Sequence, residues 1–261
     1  MTTSAFRDAH PLSWAFHANT ARFAHNAEPP PEDVWPDPAR EAPELPLTPL
    51  PTGPVLTMTL DELLHSRCSC RQFTAGTLPL AALASVLQAA YGVARQEAYG
   101  RLDFTTRTVP SGGALYPLEL TLICRQVEGL ASGVYHYLPG LHALECVKAV
   151  VVPAAFLTYL FMGQSQLTQA PVLGVLSAAF GRTMKKYGDR GYRYILLEAG
   201  HVMQNLNLAC TSLGLGSCNI GGFFDDELAG LLGLPVAQEA VLYAVAIGMP
   251  AATGRQQQRD L

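Results

Sequence analysis

Four short segments of the 261-residue chain hold residue types that could do chemistry. Arg67-Cys68-Ser69-Cys70-Arg71 sets two permanent cations around a hydroxyl. A guanidinium fork matches phosphate oxygens and the Ser69 hydroxyl adds a donor, so this is a grip suited to a phosphate. Pro110-Ser111-Gly112-Gly113-Ala114-Leu115-Tyr116-Pro117 joins two prolines that fix φ to two glycines that free it. No helix or strand favours that composition. It predicts a stiff turn whose backbone N–H groups stand clear for a flat polar ligand. Asn219-Ile220-Gly221-Gly222-Phe223 is a second place where a ligand can approach the main chain. The fourth segment is Lys186-Tyr187, and its lysine is the informative part. The chain has three lysines, Lys148, Lys185 and Lys186, against fourteen arginines. Where only positive charge is needed, this sequence uses arginine. A lysine differs in that its proton can leave when burial or a neighbouring cation, here Lys185, favours the neutral form.

Other chemistries find no support. The six cysteines form no Cys-x-x-Cys and the seven histidines show no ligand spacing, so no metal site is expected. Cys68 and Cys70 read as small loop residues and most of the other cysteines as buried free thiols. His136 reads as a strand residue without a chemical role. His201, three residues after Glu198 on one helix face, reads as a hydrogen-bonded structural histidine on a buried helix. Net charge is 17 − 21 = −4, and Arg67/Arg71 and Lys185/Lys186 are the only basic clusters, so no nucleic-acid partner is expected. The longest apolar run, Ala149 to Met162, is broken by Pro153 and is too short for a bilayer. With no basic, apolar signal at Met1, a cytoplasmic protein without a membrane partner is expected. Charged residues are only 15% and mean hydropathy is +0.17, which predicts a large protein interface.

The positioning elements follow from periodicity. Eleven of the nineteen prolines lie in the first 54 residues, so Glu28 to Pro54 reads as an extended arm, preceded by a short helix within Phe6–His25. Thr59-Leu60-Asp61-Glu62 is a capping box for a helix through His65, followed by a loop from Arg67 to Thr74. Pro79 to Tyr91 reads as a helix stopped at Gly92. Leu118–Arg125 alternates apolar and polar residues and predicts a strand. A hairpin is expected around Pro139-Gly140, joining 133–138 to 143–147. A helix with proline in its first turn follows over Pro153–Met162, then a buried strand over Pro171–Phe180. Apolar residues at Ile195, Ala199, Val202, Leu206, Ala209 and Leu213 mark a helix over Arg193–Leu213, broadened by Leu196, Met203 and Cys210. A short helix capped by Asp225 and a closing strand over Glu239–Ile247 complete the chain. The hairpin argues against a purely parallel sheet. The fold class is α+β, a mixed or antiparallel central sheet flanked by helices.

In this order, the segments resemble the nitroreductase superfamily of FMN enzymes. The wording Pro110 to Pro117, with Lys186-Tyr187-Gly188-Asp189-Arg190-Gly191-Tyr192-Arg193 and Leu197-Glu198-Ala199-Gly200-His201, is similar to its SagB-type branch of azoline-oxidising dehydrogenases. The likeness runs from about Leu60 to about Met249, with a fainter match at Phe16–Thr20. It implies a nitroreductase-like fold over 56–261 behind a Pro-rich arm over 1–55, with a long central helix at a homodimer interface and FMN between protomers. Arg67, Ser69 and Arg71 would hold the phosphate. Pro110, Ser111, Gly112 and Gly113 would meet the ring or substrate, although Gly112 and Ala114 stand where many relatives carry Ser and Asn. Gly222 would offer its backbone N–H to flavin N5, with Gly221 in the place of an acidic residue. Lys186 and Tyr187 would abstract the proton. The implied reaction turns peptide thiazolines or oxazolines into thiazoles or oxazoles, with electrons passing to dioxygen. The substrate would be a free or carrier-bound peptide, supplied by a cyclodehydratase or synthetase. An NAD(P)H-dependent flavin or nitro reductase and a non-catalytic FMN-binding scaffold subunit are the alternatives.

Overall fold

The computed structural model of the chain describes Leu12, Ala15, Phe16 and residues 45–99, 102–165, 167–235 and 238–251. The expected Phe6–His25 helix and the Phe16–Thr20 match lie outside these residues apart from the three named, as does the arm before Leu45.

Among the described residues one sheet dominates, in the order β1-β6-β5-β4-β7-β9-β8 with every neighbour antiparallel. Its strands are β1 (Leu47–Pro49), β4 (Leu118–Cys124), β5 (Gly133–Leu138), β6 (Ala143–Ala149), β7 (Val172–Ala179), β8 (Gly216–Ile220) and β9 (Glu239–Gly248). The end of the Pro-rich segment thus enters the sheet as edge strand β1, where proline is tolerated because its missing N–H faces away from the ladder. A separate hairpin, β2 (Val93–Tyr99) with β3 (Leu102–Arg107), was not expected.

The helices are α1 (Leu60–Ser66), α2 (Leu80–Tyr91), α3 (Ala154–Leu160), α4 (Phe180–Tyr187), α5 (Arg190–Ser212) and α6 (Asp225–Leu232). Helix α1 begins at the expected box: Thr59 Oγ1 accepts from Glu62 N–H, while Thr59 N–H donates to the Glu62 carboxylate at 2.7 Å. Helix α2 stops at Gly92 as expected. Two expectations at helix ends fail. Proline 153 is the N-cap of α3 rather than a first-turn residue, and Phe224, not Asp225, caps α6. Asp225 instead sits in the first turn, where its charge favours the positive helix end.

The sheet is covered on both faces. Leu118, Leu120 and Leu122 of β4 pack with Leu83 and Leu87 of α2 and Val202 and Leu206 of α5. Ile123, Leu173 and Val175 on the other face pack with Leu157 and Leu160 of α3 and Leu228 and Leu232 of α6. Strand β4 is therefore buried throughout, at its polar positions as at its apolar ones. Its polar positions are buried because they have partners, described below. Of the residues expected to broaden the buried stripe of α5, Met203 and Cys210 are buried, but Leu196 is 41% exposed beside Leu197 at 62%.

Candidate active site

The turn from Pro110 to Pro117 and the end of α4 form one wall. Residues 112–114 make a single 3-10 turn in which Gly113 has φ +66°, a left-handed conformation that suits glycine. A methyl group at Gly113 would stand 2.8 Å from Tyr187 Oη and 3.0 Å from Lys186 Nζ. At Gly112 it would meet Tyr194 at 3.4 Å and Tyr187 at 3.7 Å. The absent side chains are the space that Lys186 and Tyr187 reach into. Lys186 Nζ lies 5.5 Å from the Tyr187 ring centroid, and the edge of Tyr187 packs against Tyr194 with centroids 5.0 Å apart. Lys186 has no carboxylate partner among the described residues. Its helix was unforeseen: α4 reads in sequence as a charged approach to α5, yet it is a separate helix ended by Gly188 at φ +55°.

Ser111 is anchored rather than free. Its Oγ donates to Glu198 Oε2 at 2.5 Å and accepts from Tyr116 N–H at 3.0 Å. The other Glu198 oxygen accepts from Tyr91 Oη at 2.8 Å. Arg107 lies over the Tyr91 ring at 4.1 Å and the Tyr116 ring at 5.2 Å. Burial pushes the Glu198 carboxyl up to about 7, against the opposing pull of its two hydrogen bonds and of Arg107. Glu198 entered the sequence reading as a neighbour of His201 and within the Leu197–His201 match, without a role in the site. The missed signal was a carboxylate in phase with the apolar stripe at Ile195, Ala199 and Val202. His201 itself is exposed, contrary to the buried position expected of it.

A second buried polar group holds α4 in place. Arg182 Nη2 lies 2.5 Å from Glu119 Oε1, and Nη1 donates to the Tyr116 carbonyl at 3.2 Å. Glu119 Oε2 is hydrogen-bonded to His136 Nε2 at 2.8 Å, and His136 Nδ1 faces Glu145 at 3.8 Å. Burial pushes the Glu119 carboxyl up, but the His136 hydrogen bond and the charges of His136 and Arg182 outweigh it and hold the carboxyl below the usual range. One arginine therefore ties α4, the sheet and the turn together. His136 is on a strand as expected, yet it is part of this anchor.

The Arg67–Arg71 segment is pinned to the opposite part of the molecule. Cys70 N–H donates to the Ser217 carbonyl at 2.8 Å, and Thr74 N–H to that of Met249 at 2.9 Å. The approach requires glycine at position 216, where a methyl group would collide with Cys70 Sγ at 2.6 Å. Ser217 Oγ donates to Asn207 of α5 at 2.9 Å, fixing the segment to that helix. Arg71 and Ser69 are exposed and Arg67 half-buried. Neither guanidinium pairs with a carboxylate among the described residues. Asn219 Oδ1, close by on β8, is buried without a hydrogen-bond partner. Gly221 and Gly222 follow β8, and the Gly222 carbonyl accepts from Gln164 at 3.4 Å. A phosphate dianion fits such a place, because two uncommitted cations and a hydroxyl await an anion.

The structure thus joins Ser111, Gly112, Gly113, Lys186 and Tyr187 in one cluster. It ties the Arg67, Ser69 and Arg71 segment to β8, the strand that leads into Gly221 and Gly222, as a second. Both hang on α5, the first through Glu198 and the second through Asn207. Nine residues of helix separate these anchors by roughly 13 Å at 1.5 Å per residue.

Residues 64–249 match the nitroreductase family, and the chain belongs to that family, whose members are oxidoreductases typically dependent on FMN. Over 173 residues it is 38% identical to the protein named "Putative nitroreductase MJ1384" of Methanocaldococcus jannaschii, spanning 66% of this chain and 83% of that one. Over 134 residues it is 36% identical to the Microcin B17-processing protein McbC of Escherichia coli, spanning 49% of this chain and 48% of that one. The match thus reaches about half of McbC's length. The fold is also that of a chain in the E. coli microcin synthetase McbBCD complex with truncated pro-MccB17 bound, at TM-score 0.59 and 24% identity over 92% of both chains. The expected nitroreductase-like α+β fold is the one observed. No helix of the described residues is long and apolar enough to cross a membrane.

Proposed function

We propose that the chain is a SagB-type dehydrogenase that oxidises thiazoline or oxazoline rings in a peptide to thiazoles or oxazoles, with FMN as cofactor and dioxygen as final acceptor. The observation that carries this reading is the meeting of Lys186 Nζ and Tyr187 Oη at the side-chain-free edge of Gly113. Aromatisation of an azoline removes two hydrogens, the Cα hydrogen as a proton and the Cβ hydrogen with its electron pair. Bound FMN supplies the acceptor for that electron pair. Tyr187, assisted by Lys186, takes the Cα proton, and the lysine amine relays the phenolic proton. The bare backbone of Gly112 and Gly113 lets a flat ring lie against the turn. Arg67, Ser69 and Arg71 would hold the FMN phosphate, and Gly221 and Gly222 would leave room for its ring to approach the backbone.

The two clusters lie apart within one chain, which supports a homodimer in which each site draws on both protomers. Exposed Leu196 and Leu197 on α5 and Leu60 and Leu64 on α1 provide the apolar face for it. The likeness to McbC supports a peptide substrate delivered by a cyclodehydratase or synthetase partner. Incubating the flavin-loaded protein with an azoline peptide under air should remove two hydrogens per ring, read by mass spectrometry. Reduction of its flavin by NAD(P)H with no azoline turnover would instead identify a flavin or nitro reductase.

A further inference from the structure

The hydrogen bonds around Ser111 leave its hydroxyl two arrangements and no third. Tyr116 N–H already donates to Ser111 Oγ, and Leu118 N–H already donates to Tyr91 Oη at 3.3 Å. Each hydroxyl has one hydrogen to give. Tyr91 therefore directs its hydrogen to Glu198 Oε1. When Glu198 is ionised, Ser111 must do the same at Oε2, and its remaining lone pair is all it can present at the turn. When Glu198 carries a proton on Oε2, that proton is donated to Ser111 Oγ. The Ser111 hydrogen is then displaced and points away from the carboxyl.

We infer that Glu198 is a positioning residue whose proton decides whether Ser111 offers a hydrogen-bond donor or an acceptor to the ligand at the Gly112–Gly113 turn. The inference rests on the reading of that turn as part of the flavin and substrate site. Protonated Glu198 suits a ligand atom with a lone pair, such as a ring carbonyl oxygen or an azole nitrogen. Ionised Glu198 suits a ligand N–H. Glu198 is 3% exposed, so the exchange is sheltered from water. The surrounding groups allow both states. Tyr91 reaches it from α2, Arg107 from β3, and Ser111 and Tyr116 from the turn. Glu119 of β4 lies beyond Tyr91, and Tyr194 and His201 flank it on α5. The one cation, Arg107, is stacked on tyrosine rings instead of paired with the carboxylate, which supports the ionised form without fixing it. The raised carboxyl described above places the exchange near neutral pH.

Infrared difference spectra of the whole protein, with Glu198→Gln as the subtracted reference, isolate the protonated Glu198 carboxyl. Its band should disappear as pH rises through neutrality. In Ser111→Ala the midpoint should move upward by about half a pH unit, roughly a threefold change in proton affinity, because the ionised form loses a donor. Ser111→Cys, which keeps a side chain but donates weakly, should move it the same way. Saturating FMN should also shift the wild-type midpoint, since linkage is reciprocal. A merely structural carboxyl would titrate with a midpoint that FMN does not move. Absence of the band, or an unmoved midpoint in both Ser111 variants, overturns the inference. A protein that binds no FMN ends the flavin reading alone, and the Ser111 variants then decide the inference by themselves.

Discussion

Gly113 lacks a side chain where two reactive groups converge, and that is the sharpest chemical feature of the chain. A lysine ammonium and a phenol that both reach one backbone edge can share a proton between themselves and a ring lying on that edge. Lys186→Ala and Tyr187→Phe should each retain FMN and lose azoline oxidation. Proton transfer by a positioned group contributes about 10²–10⁴-fold, so turnover should fall by that order while the flavin spectrum stays. Lys186→Arg should restore little, because a guanidinium keeps its charge but does not release a proton at ordinary pH. Near-normal turnover in Lys186→Arg would show that charge alone matters there. Lys186 stood out in the sequence because lysine is scarce in this chain. Glu198 did not, because one carboxylate in an apolar stripe looks like a surface position until its partners from α2 and the turn are known.

Helix α4 has one fully buried residue, Thr183, and only half-buried Phe180 and Met184 pack against the core, so its packing is partial. The Arg182 link to Glu119 and the Tyr116 carbonyl supplies the missing anchor. Arg182→Met should leave Glu119 buried beside His136 with one cation fewer. Breaking such a pair from one side costs about 3–5 kcal/mol, which at this size corresponds to a melting temperature lower by roughly 10 °C. The link also carries a pH sign. Glu119 titrates below the ordinary 4.5 in the folded chain, so its stabilisation is complete above that value. It should be lost as pH falls further, through the folded titration. Acid unfolding of the wild type should therefore steepen below about pH 4.5, and Glu119→Gln should flatten that limb; identical acid limbs would discount the network. Elements with a strong period or cap, such as α1, α2, β7 and α5, were readable from sequence. Helix α4 was not, because its Arg182–Glu119 anchor joins residues distant in sequence, and the β2–β3 hairpin was not read either.

For the whole molecule, the anchors of the two clusters lie roughly 13 Å apart along α5, a span that one extended FMN covers. On the homodimer reading, a second copy packed on the exposed α5 face brings its own turn to the first copy's arginines. Cofactor retention and dimerisation should then be inseparable. The yellow protein should scatter light with the mass of two chains. Arg67→Ala with Arg71→Ala should release FMN into the filtrate while the Ser111 turn, distant in the same chain, remains intact. Conversely, Leu197→Glu places a charge on the exposed apolar face of α5 and should yield monomers that lose flavin although both arginines are present. Each result excludes a different error. A double arginine variant that stays yellow would mean that the phosphate is held elsewhere. A yellow monomer would mean that one chain completes the site alone, with one FMN covering the separation along α5 within the protomer.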